Sequence, residues 1–223
     1  MSTPHVEQPD LPDYIKNLPR HMTWEELDQL PEEIAGEIEL WEGRVVWVRR
    51  GPAEHQDATN LLWAALRRCA GDDMARDATH CWRVSTETNI FFGASGKNDY
   101  VTPDFLIYRC LEGRNQYIRA TDVYAAGEVL SPSNTPRDVE AKKARYASAG
   151  IPWYWEVLLG TTQLTNVVRA FALETGHGRL PDGVAPLRPA NYVIAGEWSA
   201  GTDEGISFDH PFPIRIPWPE LEL

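Results

Sequence analysis

The sequence predicts a single mixed α/β domain, and three observations support this fold class. Its 223 residues suffice for one substantial core and are somewhat short for two. Hydrophobic residues make up 43% and charged residues 24%, which is ordinary usage for a globular protein. Two amphipathic helical segments alternate with stretches rich in β-branched and aromatic residues. We therefore expect a sheet covered by helices.

We predict that residues 1–21 form a flexible arm and that residues 22–223 form the single folded domain. The arm is rich in proline and charge, and it lacks the basic start and apolar stretch of a signal peptide. No apolar run in the chain approaches the about 20 residues needed to cross a bilayer. We therefore expect a soluble protein that does not contact a membrane.

The acidic balance of the chain restricts its partners and location. Acidic residues number 33 against 21 basic ones, and the net charge of −12 predicts a surface that repels a polyanion such as DNA. Any nucleic-acid binding must therefore rely on a local patch, metal ions or a partner. Cys69, Cys81 and Cys110 are odd in number and lack a paired short spacing, so they favour a reducing cytoplasm over a disulfide framework.

The first elements predicted are an N-terminal helix and a hairpin. Thr23 and Glu26 form a capping-box pattern that opens a short helix in "TWEELDQL". The segment "GEIELWEGRVVWV" alternates apolar and polar residues on either side of "WEG", which indicates strands near residues 37–41 and 44–49. Glu39 falls in the first of these strands or at its end.

Two longer helices are predicted further along the chain. Apolar residues recur at helical spacing over residues 54–70, with His55 in the first turn. Thr135 and Pro136 provide the N-cap and first-turn proline of a second helix, which we expect to end near Gly150.

Strands rich in β-branched and aromatic residues surround these helices. We predict them in "CWRVSTETNIFF", "YVTPDFLIY", residues 122–130, "IPWYWEVLL", "VVRAFAL" and the final "FPIRIPWPELEL".

Two of the predicted strands carry a carboxylate among apolar neighbours, namely Asp104 and Glu128. An unpaired carboxylate buried there costs several kcal/mol, so each needs compensation. A salt bridge or a wet sheet edge would suffice, or both acids hold a divalent metal, since hard cations prefer carboxylate oxygens.

A lysine on the second long helix adds to this pattern. With about 100° of rotation per residue, Lys142 falls between Tyr146 and Ala149 on the inward stripe, and Lys143 lies on the opposite flank of Val139. Periodicity favours Lys142 without excluding Lys143, and both could instead extend to solvent. Near two metal-binding acids, a lysine would orient or deprotonate a water and stabilise charge growing on phosphorus.

Several segments together resemble the putative restriction endonuclease family, a branch of the PD-(D/E)xK nuclease superfamily. From Met22 onward these are "MTWEELDQLP", "IELWEGRVV", "VTPDFLIY" and "GEVLSPSNTPRDVEAKKARYASAGIPWYW". The resemblance implies a restriction-endonuclease-like fold, with a mixed central sheet flanked by helices. The superfamily usually places its lysine two residues after the glutamate, where this chain has Leu130. The family resembled moves the lysine to the following helix, at the position of Lys142.

The resemblance also implies a metal site that takes Mg²⁺, with Mn²⁺ as a substitute. Asp104 and Glu128 would bind the ion, and the backbone carbonyl of Val129 is a candidate third ligand. Glu39 matches an acidic position that completes the site or holds a second ion, the alternative being an exposed hairpin residue. His55 matches a histidine near the start of the family's first long helix, where a capping or packing role is the preferred interpretation.

One strand end departs from the family pattern. The family commonly has an apolar residue after the "YW" pair and an aspartate two positions later, whereas this chain has Glu156 and Leu158. The departure affects the details of this strand end and leaves the implied catalytic set intact.

The function implied is that of a Mg²⁺-dependent endonuclease that hydrolyses DNA, with Glu39, Asp104, Glu128 and Lys142 as the catalytic set. One alternative is a non-catalytic binding or regulatory module that keeps the fold, which the acidic surface favours. A hydrolase for a small phosphate ester is another. A homodimer is a further expectation, because many nucleases of this fold pair to address two strands.

Overall fold

The computed structural model describes residues 18–48, 51–113, 116–131, 134–161, 164–175 and 190–223. Most of the predicted arm, residues 1–17, lies outside the described residues. Within the described ranges, no helix is both long enough and apolar enough to cross a membrane.

The N-terminal helix and hairpin form as predicted. Helix α1 spans Trp24–Leu27, and the side chains and backbone N–H groups of Thr23 and Glu26 bond reciprocally in a capping box. A second short helix, α2, spans Glu32–Ala35 and was not predicted. The hairpin pairs β1, Ile38–Trp41, with β2, Arg44–Trp47. Glu42 and Gly43 turn it with φ angles of 54° and 79°, as a type I′ turn requires.

Two long helices flank a mixed six-stranded sheet. The helices are α3, Ala53–Arg76, and α4, Pro136–Ser148. The remaining strands are β3 (Trp82–Thr86), β4 (Ile90–Phe91), β5 (Tyr100–Val101), β6 (Phe105–Arg109), β7 (Ile118–Arg119), β8 (Val123–Leu130), β9 (Trp153–Leu159), β10 (Thr165–Glu174), β11 (Asn191–Ser199), β12 (Gly205–Phe208) and β13 (Ile214–Pro217). The large sheet has the order β11-β10-β9-β8-β6-β3, in which β8 and β9 are parallel and the other neighbours antiparallel.

The two faces of this sheet bury separate clusters. On one face, α3 and the β12–β13 hairpin pack against Phe105, Trp155 and other apolar residues. On the other face, Tyr146 of α4 packs against Leu106, Tyr154 and their neighbours. Consecutive residues such as Phe105 and Leu106 serve opposite faces because side chains alternate along a strand. The face covered by α4 carries the candidate site.

Two predicted strands are each divided in the structure. "CWRVSTETNIFF" forms β3 and β4, which belong to different sheets, and Glu87 between them has a positive φ of 44°. "YVTPDFLIY" forms β5 and β6, because Pro103 has no N–H to donate to a strand ladder. Asp104 therefore lies just before β6 rather than inside a continuous strand.

Helix α3 continues beyond the predicted end at residue 70. Met74, Ala75 and Arg76 suit a helix, and the side chain of Asp73 accepts a hydrogen bond of 2.7 Å from the indole of Trp82. Helix α4 ends close to prediction, with Gly150 in the left-handed region at a φ of 78°.

The interpretation that the cysteines do not form a disulfide was wrong for one pair. Cys81 and Cys110 are joined by a disulfide, with their Cα atoms 5.4 Å apart. Antiparallel pairing of Trp82 with Arg109 brings the two cysteines opposite one another, which a sequence separation of 29 residues does not reveal. Cys69 is a buried free thiol.

Candidate active site

Glu39 projects from β1 into the interior and is not an exposed hairpin residue. Its side chain is fully buried, while its neighbours Ile38 and Leu40 pack into the N-terminal apolar cluster. The backbone N–H of Thr102 donates to Oε1 of Glu39 at 2.9 Å, and the indole N–H of Trp41 donates to Oε2 at 2.7 Å. These two donors fix the carboxylate. Its Oε1 also lies 3.4 Å from Nζ of Lys142 on α4.

Asp104 lies at the entry to β6, beside the end of β8. Its Oδ2 accepts a hydrogen bond of 2.6 Å from the backbone N–H of Val129 and lies 3.1 Å from Nε2 of His55. The side chain of Asp104 is 18% exposed, more than that of Glu39 or Glu128. Asp104 is therefore the acid of this group that is most open to solvent.

His55 is buried in the first turn of α3 and contacts the site through Asp104. Pro52, rather than His55, is the N-cap of the helix. Burial lowers the pKa of His55, but the hydrogen bond to Asp104 and the negative charge around it outweigh burial and raise the pKa. Nδ1 is buried without a hydrogen-bond partner among the described residues. Gly51 allows this packing, because a Cβ there would lie 2.3 Å from Cγ of His55.

Glu128 is the buried acid of β8 and is held by two side chains of α4. Nζ of Lys142 lies 3.2 Å from Oε1 and 3.1 Å from Oε2, and the hydroxyl of Tyr146 donates to Oε1 at 2.6 Å. Burial raises the pKa of Glu128 to about 7; Asp104 and Glu39 add to this rise, and Lys142 and Tyr146 oppose it. Burial is the largest of these causes, so the carboxyl group is partly protonated near neutral pH even with Lys142 beside it.

Lys142 joins Glu128 to the other elements of the site. Its Nζ lies 3.4 Å from Oε1 of Glu39 and 3.4 Å from the backbone oxygen of Thr102. Burial lowers the pKa of Lys142, but the charges of Glu128, Glu39 and Asp104 raise it well above its ordinary value. The group is therefore an ammonium ion at neutral pH.

Lys143 forms an ion pair with a different glutamate, Glu156. Its Nζ lies 2.7 Å from Oε1 of Glu156 and 4.2 Å from the ring centroid of Phe171. Glu128 and Glu156 are register partners on the parallel strands β8 and β9, so both project toward α4. Consecutive lysines of α4 thus pair with two neighbouring buried acids, and only Lys142 contacts Glu128 and Glu39. Glu156, the departure noted in the sequence, is compensated by Lys143.

The donor set fits a hard divalent cation. Three carboxylates, those of Glu39, Asp104 and Glu128, lie near one lysine and one histidine: Lys142 contacts Glu39 and Glu128, and His55 contacts Asp104. Glu39 and Glu128 are buried and Asp104 is partly exposed, and their oxygens are the donors that a hard cation prefers. In the described part of the chain, no three His, Cys, Asp or Glu side chains already stand in a metal-binding arrangement. Lys142 lies between Glu39 and Glu128, so a cation shared by these acids would have to take over contacts that Lys142 now makes.

Several contacts of the site were not foreseen, among them that of His55 with Asp104. Tyr146 lies four residues after Lys142 on one face of α4, and this spacing could have placed its hydroxyl on Glu128. Thr102 holds Glu39 through the packing of β1 beside β5, for which no local pattern exists. Trp41 lies two residues after Glu39 on the same face of β1, and this spacing could have indicated its contact.

Known proteins provide two comparisons with this chain. A crystal structure described as a putative nuclease belonging to DUF820 from Anabaena variabilis ATCC 29413 matches it with a TM-score of 0.51. The match covers 91% of this chain and 94% of that chain at 15% sequence identity, and it confirms the predicted restriction-endonuclease-like fold. Among curated proteins, none matches the chain. The model of the Uma2 family, described as putative restriction endonuclease, matches residues 24–181. The chain therefore belongs to the Uma2 family of putative restriction endonucleases, as the segments quoted from its sequence predicted.

Proposed function

We propose that this protein is a divalent-metal-dependent endonuclease that hydrolyses phosphodiester bonds in DNA. The observation that carries the proposal is the convergence of Glu39, Asp104 and Glu128, from three separate elements, around Lys142. Lys142 contacts two of these acids and His55 contacts the third, so three carboxylates share one lysine and one histidine. The additional acid is explained if the site exists to bind a cation and a phosphate.

Asp104 and Glu128 would hold Mg²⁺, or Mn²⁺ in its place, with the carbonyl of Val129 as a candidate third ligand. Glu39 would complete this site or hold a second ion. When bound, the metal supplies a water of lowered pKa and neutralises charge on the phosphate. Tyr146 and Thr102 keep the glutamates oriented in the absence of the ion.

Lys142 would act as a fixed positive charge rather than as a base. Hydrolysis forms a bond between a water oxygen and phosphorus and breaks the bond from phosphorus to the leaving oxygen, which takes up a proton. Because its carboxylate neighbours raise the pKa of Lys142, the ammonium group keeps its own proton. It can therefore donate hydrogen bonds to phosphate oxygens and stabilise the charge that grows on them.

The test is cleavage of plasmid and single-stranded DNA with Mg²⁺ or Mn²⁺. The variants are Asp104→Asn, Lys142→Met and, as the matched control, Lys143→Met. Loss of one such charge-stabilising group lowers the rate by about 100-fold or more, so we expect the first two variants to lose cleavage and Lys143→Met to keep it. Undiminished cleavage in both site variants would overturn the roles proposed for these residues.

A non-catalytic module is the second candidate. Lys142 bonds to Glu128 and contacts Glu39, and no ready metal-binding group stands among the described residues, so the arrangement is also that of a stable ionic core. The net charge of −12 favours this candidate as well. Calorimetry with Mn²⁺ separates the two: metal binding without cleavage of any nucleic acid supports the module. Cleavage of a chromogenic phosphodiester with DNA left intact supports a small-ester hydrolase.

The cytoplasmic location and the homodimer stay proposals. The disulfide between Cys81 and Cys110 weighs against a reducing compartment, where such bonds are rare. Mass spectrometry of alkylated protein from intact cells measures whether this bond exists in place. Light scattering measures the oligomeric state.

A further inference from the structure

A groove of about 680 Å³ opens beside the candidate site and has no role in the mechanism above. The turn between β3 and β4 forms one side of it, with Glu87, Thr88 and Asn89. The residues that lead into β7, Gln116 and Tyr117, line it as well.

The groove and the site share hydrogen-bonded residues. Oδ1 of Asn89 accepts a hydrogen bond of 2.8 Å from the hydroxyl of Thr102, whose backbone N–H holds Glu39. The backbone N–H of Glu87 donates to the backbone oxygen of Asp104 at 3.2 Å. The wall of the groove is therefore hydrogen-bonded to Thr102, which holds Glu39, and to the backbone of Asp104.

Tyr117 gives the groove an exposed aromatic ring. It is 48% exposed, the most exposed aromatic side chain in the described ranges. Phe91 packs against it edge to face at 5.2 Å between centroids, and Nζ of Lys97 donates to its hydroxyl at 2.6 Å. Trp24, half-buried, lies on the other side of Lys97 and also lines the groove. Nζ of Lys97 also lies over the Tyr117 ring, 4.0 Å from its centroid, so a base would stack on the part of the ring that Lys97 and Phe91 leave exposed.

Arg83 lines the groove, and Lys97 and Arg119 lie over its aromatic residues Tyr117 and Phe91. Arg83, Lys97 and Arg119 form no ion pair with a carboxylate among the described residues, although the chain as a whole is strongly acidic. Glu87 and Glu112 line the groove as well, and the hydrogen bond that Glu87 accepts from the amide of Gln56 leaves its negative charge in place. Three cations and two carboxylates thus lie at this groove, so it repels a polyanion less than the acidic protein surface as a whole does.

We propose that this groove binds a single-stranded DNA segment next to the bond to be cut, with a base stacked on Tyr117 and phosphates near Arg83 and Lys97. The inference rests on the proposed function, which it deepens by naming the form of the substrate. A stacking ring beside cations is the usual means of holding a single strand. In a duplex both faces of each base are already stacked on neighbours, and a groove of this volume has room for only one or two nucleotides.

The test measures binding of a fluorescent thymidine oligonucleotide and of a blunt duplex to the full chain in EDTA, where no cleavage occurs. We expect the single strand to bind more tightly than the duplex. Tyr117→Ala should weaken its binding about tenfold, Tyr117→Phe should retain it, and Arg83→Ala should weaken it and reduce its salt dependence. Arg76→Ala, an exposed arginine at the end of α3, is the matched charge control. Circular dichroism confirms that each variant is folded.

Two results would overturn the proposal that the groove binds a single strand: equal binding of duplex and single strand, or wild-type affinity in both Tyr117→Ala and Arg83→Ala. Binding in EDTA is measured independently of phosphodiester cleavage. Tyr117-dependent binding without metal-dependent cleavage would support the groove and contradict the proposed function. Metal-dependent cleavage with no effect of either groove variant on affinity would support the proposed function and contradict the groove.

Discussion

The carboxylate of Glu128 and the ammonium group of Lys142 lie 3.1 Å apart, on a strand and a helix separated by the loop that follows β8. Leu130, where the superfamily more often has its lysine, is partly exposed at the end of β8. Helix α4, which covers one face of the sheet, thus supplies through Lys142 the positive charge that β8 lacks. Several measurable consequences follow from how this pair is buried.

Tyr146→Phe should lower the free energy of unfolding by about 2 kcal/mol, because it removes a hydrogen bond to a buried, charged acceptor. Tyr154→Phe is the matched control: its ring stacks on that of Tyr146, but its buried hydroxyl has no hydrogen-bond partner in the described part of the chain. We expect it to cost little or nothing. Urea unfolding of both variants measures the difference, and equal losses would contradict the role of the Glu128 contact.

Stability of the metal-free protein should depend on the ionisation of Glu128. Its pKa in the folded protein, about 7, lies above the 4.5 of an unperturbed glutamate, so folding favours the protonated form. The stabilisation is complete below about pH 4.5 and is lost as pH rises through 7. Relative to wild type, Glu128→Gln should therefore become progressively more stable between pH 5 and pH 8, as measured by urea unfolding in EDTA. A difference that does not change with pH would contradict the raised pKa.

Divalent metal should stabilise the folded protein if the surplus acids form a binding site. At a hundredfold excess over its dissociation constant, a bound ion adds about 2.7 kcal/mol to the free energy of unfolding. We expect Mn²⁺ to raise the melting temperature of wild type, EDTA to reverse the rise, and Asp104→Asn to abolish it. Glu156→Gln is the control, because Glu156 pairs with Lys143 outside the site. An equal rise in Asp104→Asn would place the ion elsewhere.

Gly127 is required by packing rather than by backbone conformation. A Cβ at this position of β8 would lie 2.0 Å from Cζ of Phe105, inside the core between β6 and β8. We expect Gly127→Ala to destabilise the protein by about 3 kcal/mol or more, or to prevent folding. Gly71→Ala is the contrasting variant, because a Cβ there meets no atom within 4 Å on helix α3. It should stabilise the protein by about 0.5 to 1 kcal/mol. Thermal melts of the two variants test this opposition.

Local patterns in the sequence determined the elements of the fold. The capping box of Thr23 and Glu26, the turn at Gly43 and the N-cap at Thr135 each act within a few residues, so their elements could be predicted. Burial cost marked Asp104 and Glu128 as acids that need compensation, and helical periodicity favoured Lys142 as the lysine that faces the sheet. The resemblance to the family added the choice between Lys142 and Lys143, which the helical period alone left open.

Only the tertiary structure decided how these elements meet. The fixation of Glu39 by Thr102, the disulfide between Cys81 and Cys110 and the pairing of Lys143 with Glu156 each join residues of different segments, and the first two join residues 63 and 29 positions apart. Such contacts depend on strand order and register, and hydrophobic periodicity specifies which face is buried but not which strand lies beside it. For this protein, the sequence by itself therefore determined which residues are candidates for the chemistry. The packing of α4 across β8 and β9 decided which lysine meets which acid.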